Sequence, residues 1–278
     1  MEKISIKIKM LYSQLGKAEK KIADWIDNNP GKIISMSIVE LAEQCSCSEA
    51  TIVRFSKKLG LSGYQGLKIA LASEGNSSSI NTNISETDSA YDIYNKVCND
   101  IYCSLEMTKK TLDANALASA AEKICSAKRI IIFGLGNSAS IAMDMSHKLL
   151  RVGLNAVAYS DNHMQVIAAS HLTENDLAIA ISHSGSSKDI VDALKIAKAH
   201  GATTISITNE GKSPIDKESD ILLCTSSSET KYNILALNSR IVQLAIIDSL
   251  YYYVAVKNSP AILDSINQTE MSLLSKKY

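Results

Sequence analysis

The chain has 278 residues, with 29 basic and 29 acidic side chains, and is 46% hydrophobic and 21% charged, the balance of an ordinary globular protein of one or two domains. Three prolines and 12 glycines exclude collagen-like and proline-rich classes. No apolar run reaches the roughly 18 residues of a membrane-spanning helix, and Met1–Lys7 lacks the apolar stretch of a secretory signal.

The zero net charge hides an asymmetry. Residues 1–75 carry 11 Lys/Arg against 8 Asp/Glu, and the remainder 18 against 21, a small basic excess that directs a search for nucleic-acid contacts to the N-terminal part. Six scattered cysteines include no C-x-x-C pair, and Cys45-x-Cys47 has the wrong spacing for a zinc knuckle. They read as reduced thiols of a cytoplasmic protein, and neither a metal nor a cofactor is expected.

In chain order, residues 1–73 read as all helix. Ala18, Ile22, Trp25 and Ile26 fall at helical spacing, and Asn28-Asn29-Pro30-Gly31 ends that helix. Ser37 suits the N-cap of a short helix over Ile38–Gln44. A polar turn, Cys45-Ser46-Cys47, leads to Ser48 as the cap of a second helix, Glu49–Leu59, closed by Gly60; one more helix runs through Ala72. Residues 74–89 are nearly all small and polar and read as a linker. Residues 90–278 alternate. Long helical stretches over Ala90–Leu112 and Ala116–Ser126 precede strand-like runs at 129–133, 155–159, 176–182, 203–208 and 220–224, with helices at Ser138–Val152 and Asp189–His200 between them and two more over Leu235–Val256 and Pro260–Leu274. Such alternation predicts an α/β/α domain with a five-stranded parallel sheet behind the all-helical domain.

Residues 37–59 have the length and polarity of a helix-turn-helix. Leu41, Ala42, Ile52, Val53 and Leu59 supply an inner face, leaving Ser48, Glu49, Ala50, Thr51, Arg54, Lys57 and Lys58 toward solvent or DNA. Arg54 suits a guanine edge or a phosphate, and the two lysines suit phosphate. A generic helical domain with a solvated basic face fits the same spacing.

Two loops of the second domain carry the other signal. Gly134-Leu135-Gly136-Asn137-Ser138-Ala139-Ser140 follows one strand and opens a helix, where backbone N–H groups and the positive dipole end favour an anion. It is neither a dinucleotide fingerprint, since Ala139 stands at the third glycine, nor a Walker sequence. Ser182-His183-Ser184-Gly185-Ser186-Ser187 follows another strand with four hydroxyls in six residues. Either loop alone reads as an ordinary helix cap; the pair, beyond the carboxyl ends of strands of one sheet, favours a phosphorylated small molecule.

With these residues in view the sequence resembles a known family. Residues 37–43 and 48–55, Lys58-Leu59-Gly60 and Gly63-Tyr64 resemble the N-terminal domain of RpiR-type bacterial transcriptional regulators. The two serine loops, Tyr159-Ser160-Asp161 and residues 239–248 resemble the sugar isomerase (SIS) domain those regulators carry. The resemblance implies a DNA-binding homodimer, with a homotetramer equally compatible, whose SIS domain senses a phosphosugar of sugar or amino-sugar metabolism. It implies that Ser138, Ser182, Ser184 and Ser187 hold the phosphate, with Gly136, Asn137 and His183 beside them and Glu229 near the sugar. Asn233-Ile234-Leu235 departs from the family pattern. The alternative is a sugar-phosphate isomerase or lyase using the same pocket, for which Glu229 and His163 are the candidate bases. His147 reads as structural, Trp25 as core, and Tyr251-Tyr252-Tyr253 as packing a helix or a dimer face.

Overall fold

The computed structural model describes residues 4–29, 31–34, 36–74, 84–227, 237–257 and 259–274. Its first elements are five helices, α1 (Ile4–Leu11), α2 (Lys17–Asn28), α3 (Ile38–Gln44), α4 (Glu49–Lys58) and α5 (Tyr64–Glu74), followed by the long α6 (Ala90–Thr111). The chain divides into two compact units, and the break falls inside α6, between Tyr102 and Cys103.

In the N-terminal unit Ile22, Leu41, Ile52, Phe55, Leu59 and Leu67 are almost completely buried and form one core. The helix read from Ala18, Ile22, Trp25 and Ile26 is α2, with Trp25 half-buried at the margin of that core. Its N-terminus has no side-chain oxygen at Gly16; the Glu19 carboxylate reaches back and accepts the Gly16 N–H at 2.8 Å instead. α1 adds to the expected helices. Its buried residues, Ile4 and Ile8, are one turn apart and too few to register as a period.

The C-terminal unit is a five-stranded, wholly parallel sheet of β1 (Ile130–Gly134), β2 (Ala156–Tyr159), β3 (Leu177–Ile181), β4 (Thr203–Asn209) and β5 (Ile221–Thr225), in the order β2-β1-β3-β4-β5. α7 (Ala114–Ser126), α8 (Asn137–Arg151), α11 (Leu237–Lys257) and α12 (Ser259–Leu274) cover one face, packed on Ile130, Ile132, Ile179 and Ile181. α9 (Asn162–Ala169) and α10 (Lys188–Ala199) cover the other, on Ile131, Phe133, Ala178 and Ala180. Coverage on both faces explains why β1 and β3 are buried at every residue and read as unbroken apolar runs rather than alternating ones.

Sheet order fixes where a ligand fits. From β1 the chain moves outward to β2, returns past β1 to β3, and then proceeds the other way to β4 and β5. The reversal lies between β1 and β3, where loops leaving the carboxyl ends diverge and open a crevice. The opposite edge is closed by ionic contacts: Arg129, just before β1, donates to Asp176, just before β3, through Nε at 3.1 Å and Nη2 at 2.6 Å.

Candidate ligand site and candidate nucleic-acid interface

The two serine loops meet at that reversal. Gly134 and Ile181, the last residues of β1 and β3, are register partners, so the loops beginning at Leu135 and Ser182 leave adjacent strands at the same level. α8 starts on one face of the sheet and α10 on the other, which directs two helix N-termini toward one crevice. Glycine is required at Gly134 by close packing: a Cβ there would lie 2.6 Å from the Ser138 carbonyl oxygen. Gly136 has φ +55° and faces open space.

The caps separate these helices from α3, α4, α7 and α9. Ser37, Ser48, Asp113 and Asp161 each accept a backbone N–H of the helix they open. At α8 the N-cap is Gly136, which has no side chain to offer, and at α10 the N-cap Ser187 makes no capping hydrogen bond with its hydroxyl. Ordinary capping therefore does not account for Ser187. The Ser138 N–H closes a turn on the Leu135 carbonyl at 3.1 Å, so Ser138 offers a ligand its half-buried hydroxyl rather than its amide.

Other members of the second loop are held by backbone. The Ser182 N–H donates to the Ile207 carbonyl, and the His183 carbonyl accepts from the Asn209 N–H and the Thr208 hydroxyl. The Ser184 hydroxyl accepts the Ser186 N–H at 3.3 Å. Ser182 is buried, His183 and Ser187 are half-buried, and Gly136, Asn137 and Ser184 are exposed. Glu229 and Asn233-Ile234-Leu235 lie outside the described residues. Gln165 carried no sequence signal: it is one polar residue on the short amphipathic helix α9. Its amide nevertheless sits, fully buried, at the carboxyl ends of β1 and β2, donating to the Gly134 carbonyl at 3.2 Å and the Tyr159 carbonyl at 2.8 Å.

The candidate DNA-binding segment is built on reciprocal capping. Ser37 accepts the Glu40 N–H and the Glu40 carboxylate accepts the Ser37 N–H at 2.7 Å, fixing the start of α3. At the turn Ser46 takes φ +49°, and the Cys47 N–H returns to the Ala42 carbonyl at 2.9 Å. Ser48 then caps α4 by accepting the Thr51 N–H. Ile52, Phe55 and Leu59 point into the core, whereas Ser48, Ala50, Arg54 and Lys57 are exposed and Glu49 is half-buried.

One expectation is corrected here. Thr51 is buried, its hydroxyl 2.9 Å from that of Ser48, so it faces inward rather than outward. Lys58 is exposed as expected, and its ammonium also reaches the Glu19 carboxylate at 3.0 Å and the Gln14 carbonyl at 2.8 Å. The Gly16 N–H foremost, and then Lys58, hold the Glu19 carboxyl below its ordinary range against the opposing effect of burial. Val53, partly buried, packs against the core on the inner face.

Comparison with known proteins resolves the classification. The helix-turn-helix domain of the rpiR family matches residues 2–78 and the SIS domain matches residues 123–253. The chain belongs to the RpiR family of transcriptional regulators. Among its relatives, an uncharacterized HTH-type transcriptional regulator of Caldanaerobacter subterraneus is 36% identical over 272 residues, covering 97% of this chain and 96% of that one. HexR of Pseudomonas aeruginosa is 31% identical, covering 100% and 98%. The solved structure of Vibrio vulnificus NanR complexed with ManNAc-6P superposes with a TM-score of 0.83 at 25% identity, covering 99% of this chain and 100% of NanR. A Listeria monocytogenes protein described as a candidate sugar-phosphate isomerase (TM-score 0.56, 22% identity, 62% of this chain and 93% of that one) shares the sheet-bearing fold.

For this RpiR-family chain the remaining singled-out groups are placed as follows. Cys45 is buried, which pushes its thiol up to about 11, and burial likewise raises Cys47, so neither is disposed to act as a thiolate ligand. Among the described residues no cluster of three metal-ligating side chains occurs, and no helix is long and apolar enough to cross a membrane. His163 is exposed in the first turn of α9, and His147 is exposed on α8 rather than packed inside. Tyr251 and Tyr253 pack partly against the core of the sheet, while Tyr252 is exposed.

Proposed function

We propose that this regulator binds operator DNA through its N-terminal domain and that a phosphorylated sugar, held at the β1/β3 crevice, modulates that binding. The observation that carries the effector half is the pair of helix N-termini at the sheet reversal that lack side-chain caps, beside the hydroxyls of Ser138, Ser182, Ser184 and Ser187. Helix dipole, backbone N–H groups and hydroxyls together match a phosphate dianion. Gly136, Asn137 and His183 adjoin it, and Glu229 is assigned to the sugar end. NanR, bound to ManNAc-6P, points to amino-sugar phosphates as the first class to test. The DNA half is assigned to Ser48, Glu49, Ala50, Arg54 and Lys57, with residues 1–73 as the DNA-binding domain, 74–89 as linker and 90–278 as effector domain. A cytoplasmic homodimer or homotetramer would present two such heads to an inverted repeat.

The effector acts by linkage, shifting DNA affinity only by the difference in its affinity for the two arrangements of the heads. No turnover is assigned to the crevice; its role is binding. The test is a thermal-shift screen of the full chain with glucose 6-phosphate, fructose 6-phosphate and N-acetylmannosamine 6-phosphate, followed by gel shifts on operator fragments selected in vitro. A ligand at 100 times its Kd adds about 2.7 kcal/mol of stability. A phosphosugar that binds yet leaves operator affinity unchanged refutes the sensing role, and conversion of fructose 6-phosphate at ordinary enzyme rates favours the isomerase reading instead.

A further inference from the structure

Gln165 is a polar residue with no exposed surface, and its side-chain amide donates to strand ends. Both hydrogens of its amide nitrogen are directed to carbonyls: Gly134, where β1 ends and the first serine loop begins, and Tyr159, where β2 ends. These are the points at which the ladder between β1 and β2 stops, since Phe133 and Tyr159 are its last register pair. Beyond that pair the register between β1 and β2 ends, and Gln165 bridges the two strand ends. Its own carbonyl oxygen, Oε1, is buried without a hydrogen-bond partner. A buried acceptor left unpaired is costly, a cost set here against the two carbonyls that the same amide satisfies.

We propose that Gln165 is a positioning residue for the effector site: by clamping the Gly134 carbonyl it holds the Leu135–Ser138 turn and the first turn of α8 in the anion-binding geometry. The geometry is restrictive because the backbone at Gly134 already touches α8, a Cβ there falling 2.6 Å from the Ser138 oxygen and 3.0 Å from the Ala142 Cβ. A small rotation of the Gly134 peptide therefore moves Ser138 directly. The inference rests on the phosphosugar reading above, and its test separates the two.

The full-length protein is compared with Gln165→Met, which keeps the length of the side chain and removes both donors, and with Ala169→Gly, which loosens the same helix without touching Gly134. Isothermal titration with inorganic phosphate and with the best-binding phosphosugar of the screen gives Kd, and a thermal melt gives stability. The expected result is a Kd at least tenfold weaker for Gln165→Met, with Ala169→Gly binding within twofold of the wild type even where its melting point falls as far. Equal Kd for Gln165→Met and wild type overturns the proposal. So does a loss of affinity that simply tracks the melting point across both variants. Should Gln165→Met not fold, Gln165→His, which retains one N–H donor, is read by the same two criteria. Failure of the wild type to bind any phosphosugar is a different result and refutes the effector reading itself.

Discussion

Replacing Asp176 by Asn tests the edge of the sheet opposite the crevice. The carboxylate is almost wholly buried and accepts from Arg129 Nε at 3.1 Å and Nη2 at 2.6 Å, the Thr173 N–H at 2.9 Å and the Thr173 hydroxyl at 2.8 Å. Led by the Arg129 hydrogen bonds, these partners hold its acid constant at about 2 against an ordinary 3.8, with burial opposing them. At 1.36 kcal/mol per pH unit, the difference makes the charged form worth about 2 kcal/mol to folding. The sign follows from the depressed value. The stabilisation is complete above the unfolded-state value near 3.8 and is lost as pH falls toward 2. Asp176→Asn mimics the protonated state, so urea melts should show a deficit of about 2 kcal/mol at pH 7 that shrinks steadily below about pH 4. In thermal melts at pH 7 this corresponds to a fall of about 4–8 °C for a domain of this size. Because Asp176 lies at the amino ends of the strands, phosphosugar Kd at a temperature where the variant is folded should not change. A deficit that stays constant between pH 7 and pH 3 refutes the linkage argument, and a weakened Kd refutes the separation of the two edges.

Other outcomes follow from named contacts. Lys57→Ala should weaken operator binding and lower the salt slope by about one counterion, as loss of one phosphate contact does, while leaving the melting point alone because Lys57 is exposed. Lys58→Ala should instead lower stability, by about 0.5–1 kcal/mol for a partly exposed ion pair, through loss of the Glu19 contact seen at 3.0 Å, and leave the salt slope unchanged. Ser187→Ala should cost under about 0.5 kcal/mol of stability, since its hydroxyl does not cap α10, yet weaken phosphosugar Kd about tenfold in titration calorimetry, the loss of one charge-assisted hydrogen bond. Gly134→Ala should do both, with a loss of about 1–3 kcal/mol from overpacking against Ser138 and a weaker Kd, measured by urea melts and titration respectively.

Much of this architecture was legible because periodicity and caps are local. Ser37 and Ser48 marked the starts of α3 and α4 correctly, since the side chain that begins a helix satisfies one of its first amides. The unbroken apolar runs of β1 and β3 marked a parallel sheet because both faces are covered. Boundaries shifted by a residue or two; α7 begins at Ala114, capped by Asp113, rather than at Ala116. What remained illegible depended on long-range partners. Thr51 occupies a position that a helical wheel allows to be outward, yet it is buried with its hydroxyl against that of Ser48, and the Glu19 partner of exposed Lys58 lies 39 residues away in sequence. Gln165 looked like any polar helix residue because its partners, Gly134 and Tyr159, are fixed by the strand order.

The two edges of the sheet divide their polar chemistry unequally, and that division is itself an argument about function. At the amino edge the carboxylates are well partnered: buried Asp176 as above, and exposed Asp220 by the Thr204 N–H and hydroxyl at 2.9 Å each and Lys198 at 2.8 Å. At the carboxyl edge the helix caps of α8 and α10 are left unmade and the Gln165 oxygen has no partner. A chain selected for stability alone would satisfy both edges, because each buried unpaired polar group costs free energy and each missing cap about 1 kcal/mol. Leaving the carboxyl edge unsatisfied is favourable only where something outside the chain supplies the missing partners part of the time. An effector that does so binds the folded domain and not the unfolded one, and binds most tightly the arrangement in which those groups already point at it. That differential affinity is the physical requirement for a ligand to reset the affinity of the DNA-binding domain.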